Sequence, residues 1–419
     1  MSIVSDVTPP PLETPEEQRS RRNRIYLYVL GGFVLLSLVR VVSGAEQLTS
    51  SGTIRGALTA TMPIALAGLG GLWSERAGVV NIGLEGMMIV GTIGAGYLGY
   101  HYGWVAGVLG AMLFGLLAGA LHAFATVIVG VDHIVSGVAI NIIAAGLVGF
   151  LAEAWFTGLP GGGPTQSPSL PAVPAIDVPF IADPMNTVEQ KHWFLVSDAA
   201  SVVEALFTDL SVLTLLGLVL VFGSIPLLWR TRSGLRLRSC GEAPAAAESL
   251  GVNVYRYKFI AVLISGGLAG LGGAYLALVS QSGFQVGQTG GLGYLGLAAM
   301  IFGNWRPAGL FMGAALFGYT EALTFRQGTV SLHALLLGVA VVLVLVAALQ
   351  LRRGSRRTAV GTLVFGALFL AWYLLTDVVP SDLSDMAPYV TVLLVLAFAS
   401  QRLRMPAADG QVYRKGSAG

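Results

Sequence analysis

Glu75, Arg76, Glu85, Asn141 and Glu321 hold most of the chemical interest in this chain, because each lies inside or at the end of a long apolar run. An ionisable or amide side chain in such a run must turn away from hydrocarbon and find a partner in a bundle interior or a watered passage. Glu85 and Asn141 are therefore candidates for a solute path. A hydrogen-bonded bridge between helices is the alternative for each, and Glu321 admits the same two readings. Little else offers chemistry. The five histidines, His101, His122, His133, His192 and His333, are scattered without metal-ligand spacing. The single Cys240 forbids an intrachain disulfide. No Gly-Lys-Ser or Gly-Lys-Thr occurs, and the only lysines are Lys191, Lys258 and Lys415, so no loop cradles a nucleotide phosphate. No acid, base and nucleophile gather in one place, which argues against an enzyme, and no cofactor or metal is expected in this chain.

The elements that must position these residues are membrane helices. Of 419 residues, 54% are hydrophobic and 11% charged, too little polar surface for a water-soluble fold. Apolar runs lie at 25–43, 55–73, 77–100, 104–129, 131–157, 207–230, 258–280, 288–304, 307–325, 331–351, 358–376 and 387–402. Most can cross about 30 Å of hydrocarbon as helices. The expected fold is all-α, a polytopic integral membrane helical bundle of about ten to twelve membrane segments. Continuous apolarity excludes a β-barrel, and the 56 glycines suit closely approaching helices.

Charge orients the runs. Arg19, Arg21, Arg22 and Arg24 precede the first one, and the positive-inside rule holds the N-terminus in the cytosol. Residues 1–24 are expected to be disordered. A cleaved signal peptide ending near Ser43-Gly44-Ala45 is the alternative reading of this region. Alternating the runs from an inside start gathers Arg230 to Lys258, Arg352 to Arg357 and Arg402 to Lys415 on the cytosolic face as well. Segment 158–206, proline-rich at its start and carrying Asp177, Asp183, Glu189, Asp198 and Glu204, falls outside. The expected organisation is a first membrane helix at 25–43, a first half at 50–157, an extracytoplasmic loop at 158–206 and a second half at 207–351. Peripheral helices at 352–402 and a cytosolic tail at 403–419 complete it.

Two regions are interrupted, at Trp73-Ser74-Glu75-Arg76 and at Gly303-Asn304-Trp305-Arg306-Pro307. Each is either two spans or a re-entrant hairpin. Residues 69–78 and 300–309 each place a Trp and an Arg in the break ahead of Ala-Gly, which predicts an internal repeat with a solute path near the breaks. Chance similarity among glycine-rich helices is the plainer alternative.

Residues 231–257 form the longest basic connection. Within it Pro244 suits the first turn of a short helix and Gly251 its end, so a helix with small side chains is predicted over 244–250. An ordinary amphipathic connector would look the same. Gly241-Glu-Ala-Pro-Ala-Ala-Ala-Glu-Ser-Leu-Gly251, with Val-Asn-Val-Tyr-Arg-Tyr-Lys258 after it, resembles the coupling loop of ABC importer permeases of the branched-chain amino acid, ribose and nucleoside superfamily. Ser74-Glu-Arg-Ala-Gly-Val-Val-Asn-Ile-Gly-Leu-Glu-Gly-Met-Met88 resembles the nucleoside and simple-sugar branch in particular. Ile134-Val-Ser-Gly-Val-Ala-Ile-Asn141 and Gly293 to Pro307 agree, so the resemblance covers roughly residues 50 to 350.

That resemblance implies a permease subunit taking up nucleosides or simple sugars across a bacterial plasma membrane, with both termini cytosolic. It implies two cytosolic ATPase subunits, which bind the ATP and Mg, a second permease subunit that is a different paralogous chain, and an extracytoplasmic substrate-binding lipoprotein. No nucleic acid is implied. Coupling to the ATPase would fall to Arg236, Arg238, Glu242, Ala243, Pro244, Ala246, Ala247 and Gly251. The solute path would involve Asn81, Glu85, Ser136 and Asn141, with Phe284, Tyr294 and Trp305 able to stack on a base. Interfacial anchoring is the other reading of those aromatics. A secondary transporter driven by an ion gradient is the rival function, and no chain of buried carboxylates or histidines runs through successive spans to support it.

Overall fold

A computed structural model describes residues 15–326, 328–399 and 403–416. Helix α1 spans Pro15–Ser43, which corrects the expectation of disorder from residue 15 onward. Residues 1–14 lie outside the described residues. Helix α2 (Ser51–Arg76) is capped by the Ser50 hydroxyl, which accepts from the Thr53 amide. Then come α3 (Leu84–Tyr102), α4 (Trp104–Ala123), which runs on through wide turns to Val129, and α5 (His133–Phe156). The Asp132 carboxylate caps α5 by accepting from Ile134 and Val135.

Segment 158–211 is a folded cap rather than a bare loop. Strand β1 (Ala175–Ile176) pairs antiparallel with β2 (Leu210–Ser211), and α6 (Pro179–Glu189) packs on α7 (Val196–Phe207) between them. The second half begins with α8 (Val212–Arg230), α9 (Arg232–Glu242) and α10 (Pro244–Ser249). It continues with α11 (Val254–Tyr275, prolonged to Ser280), α12 (Leu292–Phe302) and α13 (Pro307–Phe325). The chain then forms α14 (Gly328–Arg352), α15 (Arg356–Leu375), α16 (Ser381–Asp385) and α17 (Ala387–Ala399).

Among the described residues, seven helices are long and apolar enough to cross a membrane: α2, α4, α5, α8, α11, α14 and α15. The remaining apolar runs form shorter or more polar helices, so the expected ten to twelve segments exceed what length and composition establish. α12 has only 11 residues. Such a helix rises about 16 Å, half of a hydrocarbon core.

Helix α11 lies at the centre against α2, α3 and α4, and α12 and α13 pack on α2. Its glycines explain its position: a Cβ on Gly270 would run into the Ala111 carbonyl of α4, and one on Gly273 into the Met88 carbonyl of α3. Backbone therefore meets backbone, as small residues permit in lipid. By contrast α15 packs mainly on α14 at the periphery, while α17 lies against α12 and α13.

The first interruption is not where the sequence suggests, whereas the second falls where it was expected. Trp73 to Arg76 remain helical, and the first break falls at residues 77–83, where Gly78 turns the chain with φ +84°. Nothing upstream of Gly78 stops a helix, and Glu75 and Arg76 find partners across the bundle. The second break is a tight turn at Gly303–Arg306, with Asn304 and Trp305 at φ 55° and 52°. The tryptophans matched in the proposed repeat are also dissimilar. Trp73 sits in α2 and donates to the Ser224 hydroxyl at 3.0 Å, whereas Trp305 is in the turn.

Candidate functional site

Residues 77–83 form a buried, non-helical crossing. Inside a membrane protein such backbone persists only where side chains replace water as hydrogen-bond partners. Five of them do so here. Lys258 Nζ donates to the Gly78 carbonyl at 3.1 Å, and the Ser74 hydroxyl donates to the Val79 carbonyl at 2.6 Å. At Val80, the amide donates to His133 Nδ1 at 3.3 Å, and the carbonyl lies 3.1 Å from His122 Nε2. A carbonyl can only accept, so His122 carries its proton on Nε2, and Nδ1 accepts from the Ser136 hydroxyl at 2.9 Å. Asn141 Nδ2 donates to the Ile82 carbonyl at 3.0 Å.

The crossing climbs α11 from Lys258 to Ser265, whose hydroxyl accepts from Asn81 Nδ2 at 2.8 Å. Seven helical residues rise about 10 Å, so α3 starts well inside the bundle. Glu85 stands in the first turn of α3, and its carboxylate accepts from the amides of Gly291 at 3.0 Å and Gly293 at 2.7 Å. One buried carboxylate thus serves the positive ends of both α3 and α12. Asn141 completes the junction, with Oδ1 accepting from the Gly86 amide at 2.7 Å and Nδ2 donating to the Tyr294 hydroxyl at 3.0 Å. Asn81 Oδ1 is buried without a hydrogen-bond partner.

Four of the seven residues expected on a solute path, Asn81, Glu85, Ser136 and Asn141, are therefore brought to one junction, which Tyr294 meets through Asn141. All four are buried within this single chain and bridge elements. Phe284 is not with them. Its ring is fully buried against Phe156, with centroids 5.6 Å apart, and its backbone ties down Ser167. Trp305 is equally closed. It is buried, and its Nε1 donates to Glu75 Oε2 at 2.6 Å while its carbonyl accepts from Arg76 Nε and Nη2 at 2.9 and 2.8 Å. The two breaks are thereby locked to each other. Both aromatics are packed in this structure, with no free face.

The predicted short helix forms: Pro244 is its first residue, Leu250 caps it, and Gly251 turns away with φ 81°. The arginines before it are helical too, in α9, whose Gly234, Leu237 and Cys240 face inward. Arg236 is exposed. Arg238 is used internally, donating to the Leu228 carbonyl at 2.9 Å with its guanidinium 5.4 Å from the Trp229 ring centroid. Ala247 packs on Cys240 and Val254, while Ala243, Ala246 and Leu250 stay exposed and Pro244 half-buried. Glu242 reaches the crossing, its carboxylate 3.7 Å from Arg76 Nη1.

Residues 403–416 fold back over the same end, which sequence reasoning missed. The Ala408 amide donates to the Gly241 carbonyl at 2.8 Å, Ala407 to Glu242 at 3.2 Å, and Arg404 to Asn304 Oδ1 at 2.8 Å. Tyr413 stacks near Tyr255 and donates to Glu248 of α10. Asp409 is buried beside Glu75, and burial pushes its carboxyl up to about 7. A polar tail carries no periodicity, so only its partners could have revealed it. The histidines and Lys258 were likewise unreadable, since they satisfy backbone that hydropathy treats as helix.

Discontinuous helices whose N-termini meet inside a glycine-packed bundle define a membrane transport protein of the broken-helix type. The family model for the permease component of the branched-chain amino acid transport system matches residues 53–347, and the chain belongs to that family. It is 32% identical over 84% of its length to 93% of the nucleoside ABC transporter permease protein NupC of Lactococcus lactis. It is 35% identical, over 62% of its length and 78% of the relative, to the guanosine ABC transporter permease protein NupQ of Bacillus subtilis. A putative glucose ABC transporter permease of Haloferax volcanii is 32% identical over 68% of this chain and 80% of its own. No solved structure matches. The chain is a multi-spanning ABC permease, and its relatives carry nucleoside and sugar names.

Proposed function

We propose that this chain is the pathway-forming subunit of an ABC importer for nucleosides, working by alternating access in a bacterial plasma membrane. Cytosolic ATPase subunits seat on the exposed face of α10, a second, paralogous permease chain completes the pathway, and an extracytoplasmic lipoprotein delivers substrate to the cap. The end bearing α9, α10 and the tail is the cytosolic one, where the basic residues gather. ATP and Mg belong to the ATPase, and no nucleic acid takes part.

The observation that supports this reading best is the contact between α9–α10 and the crossing. Gly241 packs so closely on Arg76 and Gly78 that a Cβ there would strike the Arg76 carbonyl, and Glu242 pairs with Arg76. A push on α10 is therefore delivered to the first break and, through Arg76 and Glu75, to the second. Such a rigid linkage is what an external motor needs in order to tilt helices between two states. Glu85 and Asn141 hold the N-termini of α3 and α12 beside the path.

The test is purification with the partner subunits and reconstitution in liposomes. Nucleoside uptake should require ATP, and uptake that follows an imposed ion gradient without ATP would overturn the proposal. Within that system Glu242→Ala and Gly251→Val should lower uptake several-fold more than ATPase activity. Gly251 needs its left-handed φ to end α10, and a β-branched residue there is strained.

A further inference from the structure

Tyr294 is the aromatic on this junction with an open face. It lies in the first turn of α12, the residue is 46% exposed, and its hydroxyl accepts from Asn141 Nδ2 at 3.0 Å. An interfacial anchor would sit at a membrane surface. Tyr294 does not, because the far end of α12 reaches the turn at Gly303–Arg306, which is clamped to Arg76 at the cytosolic end. Eight helical residues from there to Tyr294 rise about 12 Å, which places the ring deep in the hydrocarbon zone. A hydrogen-bonded phenol at that depth does not turn to lipid without cost.

The surroundings are of one kind. Tyr389 of α17 is 49% exposed and donates its hydroxyl to the Gly290 carbonyl at 3.0 Å. Gly287, Gly290 and Gly291 in the turn ahead of α12 all adopt left-handed φ, so these three positions carry no side chain. Glu321 of α13 is half-buried, and with Glu85 it lies within electrostatic reach of Tyr389. Each phenol is tethered at its hydroxyl, which fixes where the ring sits while about half of the residue stays exposed. Pre-orientation of this sort lowers the entropy lost when a planar ligand stacks.

Accepting the nucleoside reading above, we propose that the Tyr294 ring is the platform on which the nucleoside base stacks as it crosses, with Asn141 as the residue that positions it. Glu321 then supplies acceptors suited to ribose hydroxyls. The ligand class follows from the pairing of an aromatic face with a carboxylate: a flat heterocycle bearing a sugar.

The experiment uses the complete transporter in liposomes, with ATP inside the compartment that the ATPases face, and compares labelled guanosine with uridine. Tyr294→Phe and Tyr294→Trp keep an aromatic face and should keep the wild-type guanosine-to-uridine ratio within about twofold. Tyr294→Leu removes it and should lower guanosine uptake by about tenfold or more, as loss of a base–aromatic stack does, with a smaller loss for the smaller uracil ring. Equal losses in Phe and Leu variants would mean that the hydroxyl bridge to Asn141 is what matters, and the stacking proposal falls. Wild-type uptake in all three variants overturns it as well. A wild-type transporter that carries no nucleoside overturns the functional reading itself, a result separable from any difference among the variants. Should the Leu variant not assemble, the guanosine-to-uridine ratio of Tyr294→Met, which fills similar volume without a ring, decides the matter in the same way.

Discussion

The two breaks look alike in sequence and solve the same problem in opposite ways. The second, Gly303–Arg306, is compact and closes its own hydrogen bonds: the Gly303, Asn304, Trp305 and Arg306 amides all donate to carbonyls between Ala299 and Gly303. The first, residues 77–83, is extended and takes its partners from α2, α4, α5 and α11. A turn whose amides are satisfied within itself is a joint, tied to its neighbours only through Trp305 and Asn304. A crossing satisfied by four helices reports their arrangement, because moving any of them strands a buried polar group. The first break is thus the part of the molecule best suited to sense a conformational change, and the second the part best suited to pass one along.

If that contrast holds, the largest effect should come from the junction above the first break. Glu85→Leu leaves the Gly291 and Gly293 amides without acceptors, at about 1–3 kcal/mol each. We expect the variant to lose about 3 kcal/mol or more in denaturation followed in detergent, while Glu85→Gln, which keeps one acceptor oxygen, should lose less than half as much. Asn141→Leu strands the Gly86 amide and the Ile82 carbonyl and should fall close to Glu85→Leu in the same measurement. At the second break the amides are satisfied within the turn, so Trp305→Phe should cost the bond to Glu75, about 1.5–3 kcal/mol, together with the packing of the lost ring atoms. A Trp305→Phe loss larger than that of Asn141→Leu would reverse the comparison.

The smallest effect should appear where the tail touches both breaks. Asp409 is held above its ordinary value of 3.8, to about 7, mainly by burial beside Glu75. A carboxyl raised on docking binds its proton more tightly in the docked form. Docking is therefore strongest below the ordinary value, weakens as pH rises toward 7, and levels off beyond it. Trypsin cleavage after Arg404 or Arg414 should accelerate from about pH 5 to pH 8 more than cleavage of an unstructured control peptide. Asp409→Asn should abolish the excess.

Which parts were legible in the sequence follows from which forces are local. Hydropathy located the long helices because burial in lipid is a property of a run of residues. Pro244 and Gly251 marked α10 because a fixed φ and a left-handed φ are properties of single residues. The first break was displaced by several positions because its location depends on Lys258, His122, His133 and Asn141, all distant in sequence. The same distance hid the packing of Phe284 and Trp305: an aromatic that packs and one that waits for a ligand have the same composition, and only neighbours distinguish them. Tyr294, grouped with those two in the sequence, is separated from them by a single hydrogen bond and an open face.

The glycine contacts of α11 carry a mechanical consequence. Where two helices touch through side chains, rotamers can change and the pair can slide. At Gly115, Gly266 and Gly270 there is nothing to rotate, and any shear drives carbonyl into backbone. α3, α4 and α11 must then travel as one keel, so the compliance that a transport cycle demands has to reside in helices outside it.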